Sequence, residues 1–256
     1  MATTTTSTVR ELESNFTNTI VHGDCIQVMR QIASQSVDFI LTDPPYLVNF
    51  RDRSGRSIAN DRNGSWLKPA FTEAYRILKS NSLMVCCYGW SKVDVFFAAW
   101  REAGFRPVGH IVFHKNYASK TNFLRYQHEQ AFLLAKGTPT RPISPISDVQ
   151  EFRYSKNALH PTQKPVSALI PLIKSFSREG EVVADPFCGS ASTCAAALLV
   201  GRRFLGIEMD EKYHRIATAR MARVRERIGV TRRSAPHPTL DRLRGCATHA
   251  SPRTAI

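Results

Sequence analysis

Apolar runs of strand length recur along the chain, with helix-length segments between several of them: SVDFILTD, SLMVCCYG, EVVADPF and RFLGIE. A run with little polar alternation is buried on both faces, as in a parallel sheet covered by helices on either side. Strands of this kind alternating with amphipathic segments specify an α/β fold, a mostly parallel open sheet with helices on both faces. We count seven strands, adding NTIVHGD, RPVGHIVFHK and EQAFLLAKG to those four. No helix-sized segment separates RPVGHIVFHK from EQAFLLAKG, so one strand is expected to run antiparallel.

The helices between them are legible from spacing. Val93, Phe96, Phe97 and Trp100 share a helical face, and Gly104 is placed to end it. Pro165 suits the first turn of a helix whose stripe is Val166, Leu169, Ile170 and Ile173, with Pro171 expected to bend it. Tyr213, Ala217, Met221 and Val224 line one side of the last helix. The chain divides into a flexible leader over 1–18, one domain over 19–228 and a basic, unstructured tail over 229–256. Within the domain, 47–65 is polar, basic and glycine-containing, the mark of a mobile loop. Residues from about 115 to 158 form a small region rich in base-reading residue types.

At 256 residues with 43% hydrophobic content the chain can bury one full-sized core. Thirty-five Lys and Arg against 21 Asp and Glu give a net charge of +14, which favours a polyanionic partner. Half of that excess lies from Arg220 onward, in the last helix and tail. The six cysteines show no CxxC pair and no zinc spacing, so they read as buried thiols of a reducing compartment and no metal site is expected. No segment has the roughly 18 apolar residues of a membrane span, and MATTTTSTVR lacks a signal-peptide core, so a soluble, cytoplasmic protein is expected.

Two strand ends carry unusual chemistry, where open α/β sheets bind ligands. The first is DPPY, Asp43, Pro44, Pro45 and Tyr46. The prolines fix their own φ and extend the preceding residue, so the segment is either a rigid turn with a packed tyrosine or a clamp. As a clamp, Asp43 and the Pro44 carbonyl would accept both hydrogens of an exocyclic amino group, and Tyr46 would stack on the ring bearing it. The second is DPFCGSAST, which runs from a strand into a small-residue helix. It is either a tight turn or a place where a ligand meets backbone N–H groups, and Glu208, ending the next strand, suits ribose hydroxyls. With neither GK[ST] nor GxGxxG, the pattern suits a nucleoside cofactor without pyrophosphate, such as S-adenosylmethionine.

With GDCIQVMRQIASQSVDFILTDPPY, HPTQKPVSALI, DPFCGSAST and RFLGIEMDEKYHRIATAR in this order, the chain resembles the S-adenosylmethionine-dependent DNA amino-methyltransferases. It resembles specifically their permuted group, in which DPPY precedes the cofactor motif. The resemblance implies a permuted Rossmann-like methyltransferase fold with EVVADPF and SVDFILTD as adjacent central strands. It implies that Asp185, Phe187, Cys188, Gly189 and Ser190 line the cofactor pocket, with Glu208 on the ribose and Asp24 and Cys25 near the adenine. His160, Thr162, Gln163 and Lys164 match the block beside the methionine part, Lys164 facing its carboxylate. Ala191 departs from the family's second glycine, and its methyl group is expected to crowd the loop.

The implied function is site-specific methylation of adenine N6 in double-stranded DNA by base flipping and in-line transfer. Arg51, Arg53, Arg56 and Arg62 of the basic loop, with Lys115, Lys120 and Arg125, are expected on DNA phosphates, and the group's habit extends the expectation to a homodimer. Methylation of cytosine N4 by the same pocket is the alternative. A non-catalytic DNA-binding protein with a degenerate pocket is a more distant one, as is methylation of RNA or of a protein glutamine.

Overall fold

The computed structural model describes residues 16–51, 55, 57–118, 120–153 and 159–234. One sheet holds eight strands in the order β1 (Thr19–His22), β10 (Arg203–Glu208), β9 (Val182–Asp185), β2 (Val37–Thr42), β3 (Leu78–Cys87), β7 (His128–Lys136), β4 (Arg106–Lys115) and β8 (Val149–Phe152). Neighbours pair in parallel except around β7, which is antiparallel to both β3 and β4. This is the reversed strand expected from the missing crossover helix. β5 (Lys120–Thr121) and β6 (Arg125–Tyr126) form a separate hairpin.

The strand count is corrected from seven to eight. β8 is VQEF, inside the proline-containing segment before His160, and it adds to β4 at the sheet edge. An edge strand needs only one apolar residue against the core, here the buried Phe152, so no apolar run announces it. Together with β7 it turns much of the 115–158 region into sheet.

Helices cover both faces. On one, α1 (Cys25–Arg30), α2 (Leu67–Ile77) and α3 (Val93–Ala103) bury Met29, Phe71, Phe96 and Trp100 with Ile40 and Met84 of the sheet. On the other, α4 (Val166–Phe176), α5 (Ser192–Leu199) and α6 (Glu211–Ser234) bury Leu172, Ala196 and Met221 with Phe39 and Leu41. Adjacent residues of β2 thus feed opposite cores, which is why that strand reads as a continuous apolar run. Gly104 takes the left-handed conformation at the end of α3, as expected of a glycine stop. The tail boundary at 229 is corrected, because α6 passes through Gly229 to Ser234. One interior glycine costs a helix only about 1 kcal/mol. The leader up to residue 15 and the tail from 235 lie outside the described residues.

β2 and β9 lie side by side in parallel, as expected. From β2 the chain crosses through α2 to β3 on one side; from β9 it crosses through α5 to β10 on the other. Diverging crossovers open a crevice beyond the carboxyl ends of these two strands. Trp100 anchors the face beneath it, fully buried with ring centroids of Phe71, Phe96 and Phe132 at 6.0, 5.7 and 5.5 Å. Trp100→Ala should lower stability by about 3–5 kcal/mol, read as a shift of the urea midpoint at unchanged slope.

Candidate active site

The crevice is a cleft of ≈ 1240 Å³, and both strand ends open into it. On one wall stand Asp43 to Tyr46; on the other stand Gly23 to Cys25, Pro186, Phe187, Gly189 and Glu208. His160 to Lys164 close a third side. Two sequence-distant motifs and the HPTQKP block are therefore brought together.

A hydrogen bond ties the two strand ends at their root. Thr42 Oγ1 donates to Asp185 Oδ1 at 2.7 Å, and the Phe187 N–H donates to the same oxygen at 3.1 Å. Asp185 is buried, and burial pushes its carboxyl up to about 7 despite these bonds and one from Thr193. Glu208 is also raised by burial, while its two oxygens accept the Gly189 and Asp210 N–H groups, each at 2.8 Å. Each carboxylate oxygen keeps acceptor capacity for a ligand hydroxyl. Asp24 is already occupied as the cap of α1, accepting from the Ile26 and Gln27 N–H groups at 3.0 Å. Cys25 is a buried thiol, pushed up to about 12 by burial and then by Asp24.

The DPFCGSAST turn is wound tightly. Gly189 has φ +51°, and a side chain there would point at the His160 ring 3.5 Å away. Ala191 is also left-handed, at φ 61°, but its methyl group is fully buried in the core under α5. The expected crowding of the loop is corrected: the methyl faces away from the cleft, and the cost is about 1–2 kcal/mol of backbone strain. Cys188 and Ser190 are likewise buried, so the cleft meets this turn at Pro186, Phe187 and Gly189. Phe187 packs on Trp66 with centroids 5.0 Å apart, and His160 lies edge-on to Tyr213 at 4.3 Å while its Nδ1 accepts the Thr162 N–H.

The DPPY end differs from the expected clamp in its partners. Tyr46 donates its hydroxyl to Asp43 Oδ1 at 2.6 Å, and Lys164 Nζ lies 2.6 Å from Asp43 Oδ2 and 3.3 Å from the Tyr46 hydroxyl. Burial first, and Asp43 next, keep the Tyr46 phenol well above its usual range, so it stays a donor. Lys164 also pairs with Glu129 at 2.7 Å, and Glu129 pairs with Lys115 at 2.5 Å. Burial opposes both charged forms, yet Lys164 and Lys115 bring Glu129 down to about 2, and Asp43 and Glu129 hold Lys164 above the usual lysine range.

This chain of alternating charge gives both lysines partners within the protein. Lys164 pairs with Asp43 and Glu129 in place of the ligand carboxylate expected to face it. Lys115, 5% of its side chain exposed, pairs with Glu129. Glu129, Thr42, Trp66 and Tyr213 are site residues that the sequence does not single out as such; the one signal is a glutamate at the head of the strand EQAFLLA, just before its apolar run.

Of the remaining expected cations, Arg51, Arg62 and Arg125 are exposed, Arg62 bonding Asn49 at 3.1 Å. Arg53 and Arg56 lie outside the described residues, and Lys120 lies on β5. The segment that carries Arg51 and Arg62 is fastened at its root: buried Asp61 accepts the Val48 and Phe50 N–H groups. Among the described residues no cluster could hold a metal ion, and no helix is long and apolar enough to cross a membrane. The described cysteines are free and buried; Cys246 lies outside the described residues.

The chain is similar to known proteins. A family model described as "DNA methylase", of the N6/N4 type, matches residues 37–219. The Escherichia coli (strain K12) protein named "Putative methylase YubD" is 55% identical over 204 residues, spanning 80% of this chain and 90% of that protein. "DNA adenine methyltransferase YhdJ" of the same organism is 28% identical over 246 residues, spanning 81% and 83%. The solved M1.HpyAVI–SAM complex superposes with a TM-score of 0.64 at 24% identity, over 79% of this chain and 98% of that one, and shares the fold.

The Asp185 carboxyl makes a prediction from its raised value. In the unfolded chain the group loses its proton near its ordinary 3.8, while in the fold it holds it to about 7. The native state therefore binds the extra proton between those values, and this group's contribution to stability falls as pH rises through that window. Asp185→Asn should flatten the fall and raise the stability of the ligand-free protein at pH 8, by at most about 4 kcal/mol, in urea titrations from pH 4.5 to 8.

Proposed function

Because this chain belongs to the N6/N4 family of DNA methylases, we propose that it transfers a methyl group from S-adenosylmethionine to the N6 amino group of adenine in double-stranded DNA. The observation that carries the reading is the juxtaposition of Asp43, just past the end of β2, with Phe187, Gly189 and Glu208 at the ends of β9 and β10, in one cleft. An amino-group acceptor and a nucleoside cradle on adjacent parallel strands are what a two-substrate transfer requires. Adenine rather than cytosine is favoured by the aspartate of DPPY and by the name of the relative YhdJ.

The residues fit the cofactor. Glu208 retains acceptor sites for ribose hydroxyls, Asp185 offers an ionisable carboxylate towards a cation, and Gly189 leaves open space beside His160 that a side chain would enter. When bound, S-adenosylmethionine supplies a methyl group on a sulfonium, whose sulfur leaves as a neutral thioether. The chain's own part lies at the amino group. An exocyclic nitrogen is a weak nucleophile because its lone pair is delocalised into the ring. Hydrogen bonds from it to Asp43 and the Pro44 carbonyl localise that pair and stabilise the positive charge that grows as the new N–C bond forms. The surplus proton leaves the nitrogen along these bonds to water.

A base inside a duplex cannot reach this floor, so it must leave the stack at a cost of a few kcal/mol. The cleft mouth carries groups suited to that work. The β5–β6 hairpin presents Phe123, 94% exposed, and Leu124 at its tip, beside Arg125. Next to it the exposed Trp90 stacks on Tyr126, with centroids 6.2 Å apart at 19°. Apolar side chains flanked by cations are the form of a wedge for a base step.

The direct test incubates the protein with duplex DNA and tritiated S-adenosylmethionine, then resolves the nucleosides. N6-methyladenine is expected; N4-methylcytosine would move the reading to the other amino base, and no labelled base would remove it. Asp43→Ala should abolish labelling while calorimetry still finds cofactor binding. Phe123→Ala should slow methylation of duplex DNA by about tenfold, yet leave a duplex with an abasic site opposite the target nearly as good a substrate as for wild type.

A further inference from the structure

Both oxygens of Asp43 are already engaged in the structure, one by the Tyr46 hydroxyl and the other by the Lys164 ammonium. The ammonium poses the sharper problem. At 2.6 Å it offsets the negative charge that a methylated, cationic nitrogen needs from Asp43, and it repels that nitrogen. Lys164 cannot resolve this by losing its proton, since its neighbours hold it charged. Nor can it move to water, because only 7% of its side chain is exposed.

A second carboxylate is within reach without any of these. Glu129 Oε2 lies 2.7 Å from the same Nζ, and Lys115 on Oε1 keeps Glu129 ionised and fixed between β7 and β4. We infer that Glu129 is a positioning residue of the proposed transfer: it takes over Lys164 when the target amino group engages Asp43. This rests on the methyl-transfer reading above. The ammonium stays paired throughout, so the buried charge is compensated while Asp43 turns to the base. Lys164 thereby holds Asp43 in place, and Glu129 supplies its alternative seat. Without Glu129, Asp43 is the carboxylate left paired with Lys164 among the described residues, and the acceptor stays blocked.

The claim predicts a sign that simple loss of structure cannot produce. Wild type, Glu129→Gln, Lys164→Met and the double variant are compared in single-turnover methylation of duplex DNA. Cofactor and DNA dissociation constants and melting temperatures are measured on each. Glu129→Gln should slow the single-turnover rate by about tenfold or more, with dissociation constants within about twofold of wild type. Adding Lys164→Met to it should recover rate, because the blocking cation is gone, so the double variant is faster than Glu129→Gln alone. Glu129→Asp, which keeps the charge, should be the less impaired single variant at that position and serves where Glu129→Gln melts too low. A Glu129→Gln enzyme as fast as wild type, or a double variant slower than either single, overturns the inference while leaving the function standing. Wild type that transfers no methyl group overturns the proposed function and this inference with it.

Discussion

The parallel pairing of β2 with β9 is the constraint from which the site follows. Each strand runs into an Asp-Pro pair, and in the parallel register Asp43 lies only two residues beyond the level of Asp185. The Thr42–Asp185 hydrogen bond locks that level, since a slip of one strand against the other would pull a buried hydroxyl away from a buried carboxyl. Because the chain leaves the two strands in opposite directions, the segments beyond them, Asp43 to Tyr46 and Pro186 to Gly189, line a common crevice with Asp185 buried beneath it. The aromatic packing around Trp100 on one face and the small-residue packing of α5 on the other hold that register.

What the sequence makes legible is what local chemistry dictates. Apolar runs mark β2, β3, β9 and β10, and Asp-Pro and Gly-Ser mark their unusual ends, because proline and glycine restrict the backbone wherever they occur. The pairings that set the site's charge are out of its reach. Lys164 and Asp43 are 121 residues apart, and nothing in HPTQKP distinguishes a lysine facing a ligand from one facing an aspartate. Lys115 reads as a surface cation because HKNYASK is polar throughout; only the antiparallel packing of β4 on β7 puts Glu129 beside it. Ala191 looks like an intrusion into the loop for a similar reason. Its left-handed φ, which turns the methyl group into the core, is a property of the wound turn.

The two halves of the cleft manage buried carboxylates by opposite means. Asp43 and Glu129 are held by ammonium groups, and Glu129 is driven to its acid side, about 2. Asp185 has only hydroxyl and amide donors near it, and burial raises it to about 7. The first arrangement keeps charges fixed and can move them between partners. The second leaves a carboxyl that a cation would ionise. A wall that is strained towards neutrality without its ligand gives up stability for affinity, a common trade at binding sites.

On the proposed reaction, the acceptors at the floor also select among bases. Asp43 and the Pro44 carbonyl offer lone pairs only, so a base must present N–H groups where they converge. Adenine and cytosine place an amino group at the corresponding edge; guanine and thymine place a carbonyl oxygen there, which would face a carboxylate oxygen and leave both unpaired. A mismatch of that kind is penalised far more heavily than a missing methylene, because buried polar groups lose their partners. Lys164 reinforces the rejection only if it stays tied to carboxylate: a freely available ammonium would offer a donor to those same oxygens. On that reading Glu129 serves discrimination as well as transfer, by keeping the Lys164 ammonium occupied while Asp43 reads the base.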